Sequence, residues 1–444
     1  MSTAGVSLDL ARELRAICGE EHVIEAAASG MPSVVIPGKP TLAVAPANAE
    51  EVAAILRLAN EHHFTIAPVG GGTEANPMWR GADVCVQTTR LNDVEHYDHA
   101  DLTVGVGAGM TVAQLSAMVA ADHLMFACDP PFPERSTIGG VLAAAKHGPL
   151  RHGYGSVRDF CIGIRFVTGD GRKAKGGGRV VKNVAGYDMM KLLIGSYGTL
   201  GVITSASFKL FPAPRRTLTF LAEFATWQEA LKFGNLLARS PLAPMCLELV
   251  SPQARKLMRP EMTDDAWVIC VRAAGSDAVL ARYRKQMGSA VTHEIAADDE
   301  HEVWRAIENF PAGAKQKEVI ESSSLPHFNI SIPLAQVDAA LSVVEDFAAE
   351  GLTSIPVVGR VGLGHLLAVP WPNPGSSVEL LTTAIGEFEF HLLRALPSSA
   401  CISKSPAREL CLPTLGPDQG PGNSMRAVKQ ALDPNNVLRG RDTL

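Results

Sequence analysis

The chain has 444 residues, 46% of them apolar, with 40 Lys and Arg against 46 Asp and Glu. That length exceeds what one core usually supports, so two domains are expected. A formal net charge of −6 with no long basic block argues against nucleic acid as a main partner, since phosphate binding needs clustered Lys and Arg.

No stretch approaches the ~20 apolar residues of a membrane-crossing helix. The start carries Asp9, Glu13, Glu20 and Glu21 where a signal peptide needs an unbroken apolar core. The expected compartment is the cytoplasm, with any membrane association made through partners. The eight cysteines never reach C-x-x-C spacing; they read as small buried hydrophobes rather than as an iron–sulfur or zinc site, and no metal is expected.

In chain order, residues 1–33 read as an N-terminal helical segment. Residues 41–46 are strand-like, and Asn48 caps a helix over 50–60. A short strand at 64–68 runs into Gly70-Gly71-Gly72. Residues 84–88 and 102–109 read as strands, followed by a helix over 111–122. This alternation implies an α+β or α/β fold.

After Pro212-Ala213-Pro214 the texture changes. Strands at 217–224, 245–250, 267–273 and 291–296, with helices at 226–240 and 277–290, form a βαββαβ pattern. A second set follows with strands at 328–332, 355–361 and 363–369 and a helix at 335–350. Residues 372–375 read as a turn, and the Pro- and Gly-rich stretch 412–423 as a loop before a last helix at 424–432.

The most informative stretch is 128–214, where glycines recur between apolar runs: Thr137-Ile138-Gly139-Gly140, Gly153-Tyr154-Gly155-Ser156-Val157-Arg158-Asp159, Asn183-Val184-Ala185-Gly186-Tyr187-Asp188, and Gly195-Ser196-Tyr197-Gly198-Thr199-Leu200-Gly201-Val202-Ile203-Thr204. Such segments are expected to leave backbone N–H groups facing an elongated polar ligand. Gly70-Gly71-Gly72 alone is a weak signal. A dinucleotide fingerprint needs G-x-G-x-x-G opening a helix, whereas here Pro77 follows and disfavours one.

Taken in order after Val69-Gly70-Gly71-Gly72-Thr73, these four segments resemble the FAD-binding domain of the vanillyl-alcohol oxidase and p-cresol methylhydroxylase superfamily, and within it the FAD-binding subunits of bacterial glycolate oxidases. The resemblance is strong over about 34–214. The end of the chain, Asp433-Pro434-Asn435-Asn436-Val437-Leu438-Arg439-Gly440-Arg441, resembles the superfamily's D-P-x-x-V-L-N-P-G-K tail but departs from it at Arg439-Gly440.

The resemblance implies an α+β protein with a two-subdomain FAD-binding domain at 34–214, a ferredoxin-like α+β cap at 215–411, and a C-terminal loop and helix at 412–444 returning to the FAD domain. It implies FAD held by Val69, Gly70, Gly71, Gly72, Thr73, Asp129, Pro130, Ser136, Thr137, Ile138, Gly139, Gly140, Gly155, Ser156, Val157, Asp159, Gly201, Val202 and Ile203. Thr73 and Glu74 stand where covalent members often place a His, which implies non-covalent FAD.

The implied activity is oxidation of a 2-hydroxy acid, glycolate or D-lactate, within a complex containing a second flavoprotein subunit and an iron–sulfur subunit. Two alternatives stay open: a stand-alone oxidase or dehydrogenase of another alcohol or lactone, and a catalytically silent structural subunit. The H-x-G-D-G-N-x-H segment of the longer relatives does not occur; Val361-Gly362-Leu363-Gly364-His365-Leu366 is its nearest counterpart, and His365 reads as structural.

Flavin chemistry calls for a cation near the pyrimidine edge and a base for the hydroxyl proton. Arg151, Arg158 and Lys182 are the cation candidates, with His147 and His152 as proton acceptors. Arg360 is a candidate for a substrate carboxylate or, equally, for a surface salt bridge.

Overall fold

A computed structural model describes residues 8–26, 42–73, 82–179, 188–258, 265–311, 327–349, 353–372, 378–396, 401–405 and 422–438. They form two compact units. The first comprises Met1–Gly148, Gly155–Ala213 and Pro421–Leu444; the second comprises Pro149–Tyr154 and Pro214–Gly420.

The first unit begins with α1 (Leu8–Cys18), β1 (Val23–Glu25), β2 (Leu42–Val44), α2 (Ala49–His62), β3 (Ile66–Val69) and β4 (Val84–Gln87). Its strands are ordered β1-β2-β4-β3. Helix α2 forms because Val52, Ile55, Leu56 and Ala59 recur at helical spacing, and all are buried. Its first turn is closed reciprocally: Asn48 Oδ1 accepts the Glu51 N–H at 3.0 Å, and Glu51 Oε2 accepts the Ala47 N–H at 2.7 Å. β4 pairs in parallel with β2 and β3, and its buried Val84-Cys85-Val86 run is what a strand covered on both faces requires.

The chain continues through β5 (Val94–Asp98), β6 (Thr103–Gly107), α3 (Val112–Ala120), β7 (Leu124–Met125), α4 (Ile138–Ala144), α5 (Arg151–Tyr154), α6 (Val157–Phe160), β8 (Cys161–Val167), β9 (Lys173–Gly177), α7 (Met190–Leu193), β10 (Val202–Lys209) and β11 (Phe211–Pro212). Of these, α5 groups with the second unit. An antiparallel sheet ordered β5-β6-β10-β8-β9 buries Val104, Val106, Ile164, Phe166, Ala206 and Phe208 on one face, with Phe126 and Phe160. Period-two alternation sends Gly105, Gly163, Ser205 and Ser207 to the other face.

The second unit contains β12 (Thr217–Phe224), α8 (Trp227–Ala238), β13 (Cys246–Val250), α9 (Pro252–Met258), β14 (Trp267–Ala274), α10 (Asp277–Met287), β15 (Val291–Ile295) and α11 (Ala297–Glu308). These are followed by β16 (His327–Ser331), α12 (Val337–Ala349), β17 (Thr353–Ser354), β18 (Val357–Arg360), β19 (His365–Ala368), β20 (Trp371–Pro372), α13 (Val378–Ala395) and β21 (Cys401–Ser405).

One sheet runs β15-β12-β14-β13-β18-β19-β16-β21. Numbered within each half, the strand order is 4-1-3-2 and then 2-3-1-4, so two βαββαβ halves are joined antiparallel through their second strands, β13 and β18. The ferredoxin-like cap is therefore a duplicated one. Its core joins Phe220, Ile269 and Val271 of one half to Phe328, Ile330 and Phe388 of the other.

Helices α4, α11 and α13 and strands β5 and β21 were not assigned from sequence. α11 is anchored by the buried Glu300, which accepts Thr217 Oγ1 at 2.6 Å and Thr219 Oγ1 at 2.9 Å and lies 3.2 Å from Arg272 Nε. The expected helix over 277–290 ends earlier, at Met287, because Gly288 turns to φ 55.

The last helix, α14 (Gly422–Leu432), belongs to the first unit. Asp433 accepts the N–H groups of Val437 and Leu438 at 2.9 and 3.0 Å, and pairs with Lys429 Nζ at 2.6 Å. Lys429 also donates to the Thr199 and Leu438 carbonyls, and Ile66 N–H donates to Val437 O at 2.8 Å. The turn residues 373–375, the loop 412–421 and Arg439–Arg441 lie outside the described residues.

Candidate functional site

In the first unit a narrow cleft of about 60 Å³ opens where β3 ends. Its wall contains Val69, Gly70, Gly71, Gly72 and Thr73, then Ser136, Thr137, Gly139 and Gly140, then Gly201, Val202 and Ile203. Segments about sixty residues apart in sequence thus meet at one place.

They meet because Gly70 and Gly71 carry no side chains. A Cβ on Gly71 would run into the backbone carbonyl of Arg135, and one on Gly70 into the Thr137 hydroxyl. Ser136 Oγ lies 3.0 Å from Thr73 Oγ1, and Arg135 donates to the Gly71 carbonyl at 3.3 Å. The two loops are packed backbone to backbone, which is a use of glycine the sequence reading did not separate from ligand approach.

The expectation that every glycine segment leaves its amides open needs correction. The Ile138 N–H donates to Met110 O at 2.9 Å and the Gly139 N–H to Ala108 O at 2.7 Å. The Gly195 and Tyr197 N–H groups are taken by Leu142 O and Ala143 O. Among the described residues, no hydrogen bond engages the N–H groups of Gly70, Gly71, Gly72 or Thr73. That loop thus presents four consecutive open donors, and Gly72 at φ 66 supplies its left-handed turn.

The remaining expected cofactor residues lie elsewhere in the unit. Ile138 and Val157 point into the core. Pro130 is buried, and Asp129 packs against Gly148. Gly155 turns at φ 82 into α6, whose start is closed by Ser156: its N–H and Oγ both bond Asp159 Oδ2, at 2.7 and 2.8 Å. Asp159 thus caps its own helix rather than pairing with Arg158, which is exposed and donates to Lys191 O at 3.2 Å.

Eight cleft residues were not expected, Lys146, Thr88 and Tyr197 among them. Lys146 brings a cation to the wall, and Thr88 and Tyr197 line it. Tyr197 sits at φ 52, a left-handed conformation costly for a bulky residue. The quoted Gly195–Thr204 motif carried that signal.

The catalytic candidates do not converge. Lys182 and residues 183–187 lie outside the described residues. His147, in the first unit, holds Ala145 O at 3.1 Å through Nδ1. His152 groups with the second unit: a Cβ on Gly362 would lie 2.8 Å from its Cε1, and burial holds its imidazole below the ordinary range. Arg151 groups there too.

Arg360 forms no surface salt bridge. Its Nε lies 3.0 Å from Glu248 Oε1, with side chains 13% and 1% exposed. That pair sits on adjoining strands β18 and β13, beside Cys270, whose thiol is pushed up to about 12, first by burial and then by Glu248. His365 hydrogen-bonds Ser331 Oγ across β19 and β16 at 3.1 Å. Among the described residues, no three His, Cys, Asp or Glu side chains are grouped as a metal site would require, and no helix is long and apolar enough to cross a membrane.

Comparison with known proteins defines the class. Residues 40–175 match the FAD binding domain family and residues 213–390 the C-terminal domain of FAD linked oxidases. The chain belongs to the FAD-linked oxidases, and it is an FAD-dependent oxidoreductase.

It is 26% identical over 426 residues to glycolate oxidase subunit GlcD of Bacillus subtilis, covering 90% of this chain and 88% of that one. Over 145 residues it is 39% identical to glycolate oxidase subunit GlcE of Escherichia coli, 30% of this chain and 41% of that one. It is 25% identical over 427 residues to mitochondrial D-lactate dehydrogenase [cytochrome] 1 of Saccharomyces cerevisiae, covering 90% and 72%. Among solved structures, p-cresol methylhydroxylase with substrate bound superposes at TM-score 0.72 and 17% identity over 98% of this chain and 97% of that one. That likeness establishes the fold alone.

Proposed function

We propose that the chain is the flavin subunit of a complex that oxidises a 2-hydroxy acid, glycolate or D-lactate, and passes the electrons to an iron–sulfur partner. The observation that carries the reading is the loop Gly70–Thr73, four unengaged amides held against Ser136–Gly140 in a cleft too tight for side chains. The substrate class and the subunit role are supported by the relatives named for glycolate oxidase and D-lactate dehydrogenase.

The cleft suits an anion on main-chain N–H groups, so Gly70–Thr73 would hold the FAD pyrophosphate, with Lys146 adding positive charge. Val69, Val141, Val202 and Ile203 supply an apolar wall that excludes water. Bound FAD would supply the two-electron acceptor that no amino-acid side chain offers. It would be held without a covalent bond, because Thr73 and Glu74 stand at the position of the attaching His.

His147 is the proton acceptor we assign. The Ala145 carbonyl can only accept, so Nδ1 carries the hydrogen. Arg360 is assigned no part in binding a substrate carboxylate, since Glu248 already neutralises it.

The test is anaerobic addition of glycolate or D-lactate to the FAD-loaded chain, alone and co-expressed with a second flavoprotein and an iron–sulfur protein, while the visible flavin band is followed. Bleaching only in the assembled preparation is the expected result. Full-rate reduction of the isolated chain contradicts the subunit role, and no reduction in either preparation contradicts the substrate class.

A further inference from the structure

A second cavity, about 230 Å³, lies in the first unit on the face of the β5-β6-β10-β8-β9 sheet opposite its core. Its floor follows from the register. Gly105, Ser207, Gly163 and Gly177 are successive cross-strand partners, and beside them Ser205, Arg165 and Lys175 form a second row. The small row makes a trough, and the cationic row makes one wall. Arg179, just beyond β9, adds a third positive charge, against the single carboxylate of Glu95.

Glu95 is already paired, at 3.0 Å, with Arg165. Among the described residues, Lys175 and Arg179 have no ion-pair partner, and the Ser205 and Ser207 hydroxyls have no hydrogen bond. At the end of the small row His96 lies across Gly105, where a Cβ would collide with its ring. Both ring nitrogens of His96 are buried without a hydrogen-bond partner among the described residues, an arrangement that costs free energy unless something else supplies the bond. Burial first, then Arg179, with a smaller part from Arg165, hold its imidazole below the ordinary range, opposed by Glu95 and Asp98. The trough is thus a positive site in a chain whose formal net charge is −6.

We propose that this trough binds a compact oxyanion of two or more negative charges, a phosphate group or a small polycarboxylate, at a site separate from the flavin cleft. Lys175 and Arg179 supply charge-assisted hydrogen bonds, and Ser205 and Ser207 donate from the floor. The proposal stands independently of the substrate assignment.

The experiment is calorimetric titration of the FAD-loaded full chain with inorganic phosphate and, separately, with citrate, at matched ionic strength. One saturable site is expected for at least one of them; the stronger arm identifies which oxyanion the trough prefers. Lys175→Gln and Arg179→Gln should each weaken binding by about tenfold or more, with FAD content unchanged. In a histidine NMR titration, saturation should move the His96 midpoint upward, because the anion offsets Arg179 and Arg165. The proposal is overturned if neither anion binds saturably in the millimolar range, if both variants bind as wild type, or if the anion displaces FAD, which would place it in the flavin cleft.

Discussion

Replacing Gly71 with Ala probes the cradle with the smallest possible change. The added methyl would meet the Arg135 carbonyl, a backbone atom that cannot swing aside, so the loop Gly70–Thr73 must move off Ser136–Gly140. Overpacking of this kind costs about 1–3 kcal/mol of stability, or roughly 2–10 °C in Tm for a domain of this size. The effect on FAD should be larger. Each amide bond to a charged pyrophosphate is worth about 1.5–3 kcal/mol, so displacing two of the four donors weakens FAD by roughly two to four orders of magnitude.

The assay is FAD stoichiometry after gel filtration and the Kd from quenching of flavin fluorescence, alongside thermal unfolding followed by circular dichroism. Gly140→Ala is the control: its Cβ meets only Thr137 Oγ1, at 3.2 Å, and FAD should stay bound. Gly139 is a poorer probe, because its Cβ would lie 2.9 Å from Ala108 Cβ and would disturb the seating of α4. A Gly71→Ala protein that keeps stoichiometric FAD with an unchanged Kd refutes the reasoning.

Other outcomes follow from the same geometry. Acid precipitation should release free FAD and leave a colourless pellet; a yellow pellet would show a covalent bond. His147→Gln should slow flavin reduction by roughly 10²–10⁴-fold while leaving FAD bound, and a variant reduced at the wild-type rate removes His147 as the base. Asp433→Ala leaves Lys429 buried without its carboxylate and frees the Val437 and Leu438 amides, so unfolding should cost about 3–5 kcal/mol less, measured by denaturant titration. His152 has a lowered folded pKa, so the unfolded chain takes up its proton first. Its contribution to stability is full above the unfolded value of 6.5 and is lost as pH falls below it; His152→Leu should flatten that limb of the Tm–pH curve.

Much of the fold was legible because it is written in local signals. Asn48, Thr111 and Thr226 cap the helices expected after them, and strand β12 spans the residues its alternation marked. Helix α13 also carries a helical pattern, with Ala384, Ile385, Phe388 and Leu392 buried, yet β-branched Thr382 and Thr383 and Gly386 weaken its propensity and it went unread. The convergence of Gly70–Thr73 with Ser136–Gly140 was expected from resemblance.

What glycine does at each position was not legible. Sequence cannot distinguish an amide left open at Gly71 from one spent on Ala108 at Gly139, since both depend on which carbonyl the fold brings alongside. The same limit hid the Arg360–Glu248 pair, whose partners lie more than a hundred residues apart and meet only through the pairing of β13 with β18.

The most direct test of the flavin cradle is hydrogen–deuterium exchange of the chain with and without FAD, read by mass spectrometry. FAD should slow exchange most in peptides covering Gly70–Thr73, whose amides have no hydrogen-bond partner among the described residues, and should leave the Gly163–Arg179 trough unchanged. Protection confined to other segments, with Gly70–Thr73 exchanging as fast as in the FAD-free protein, would contradict the account.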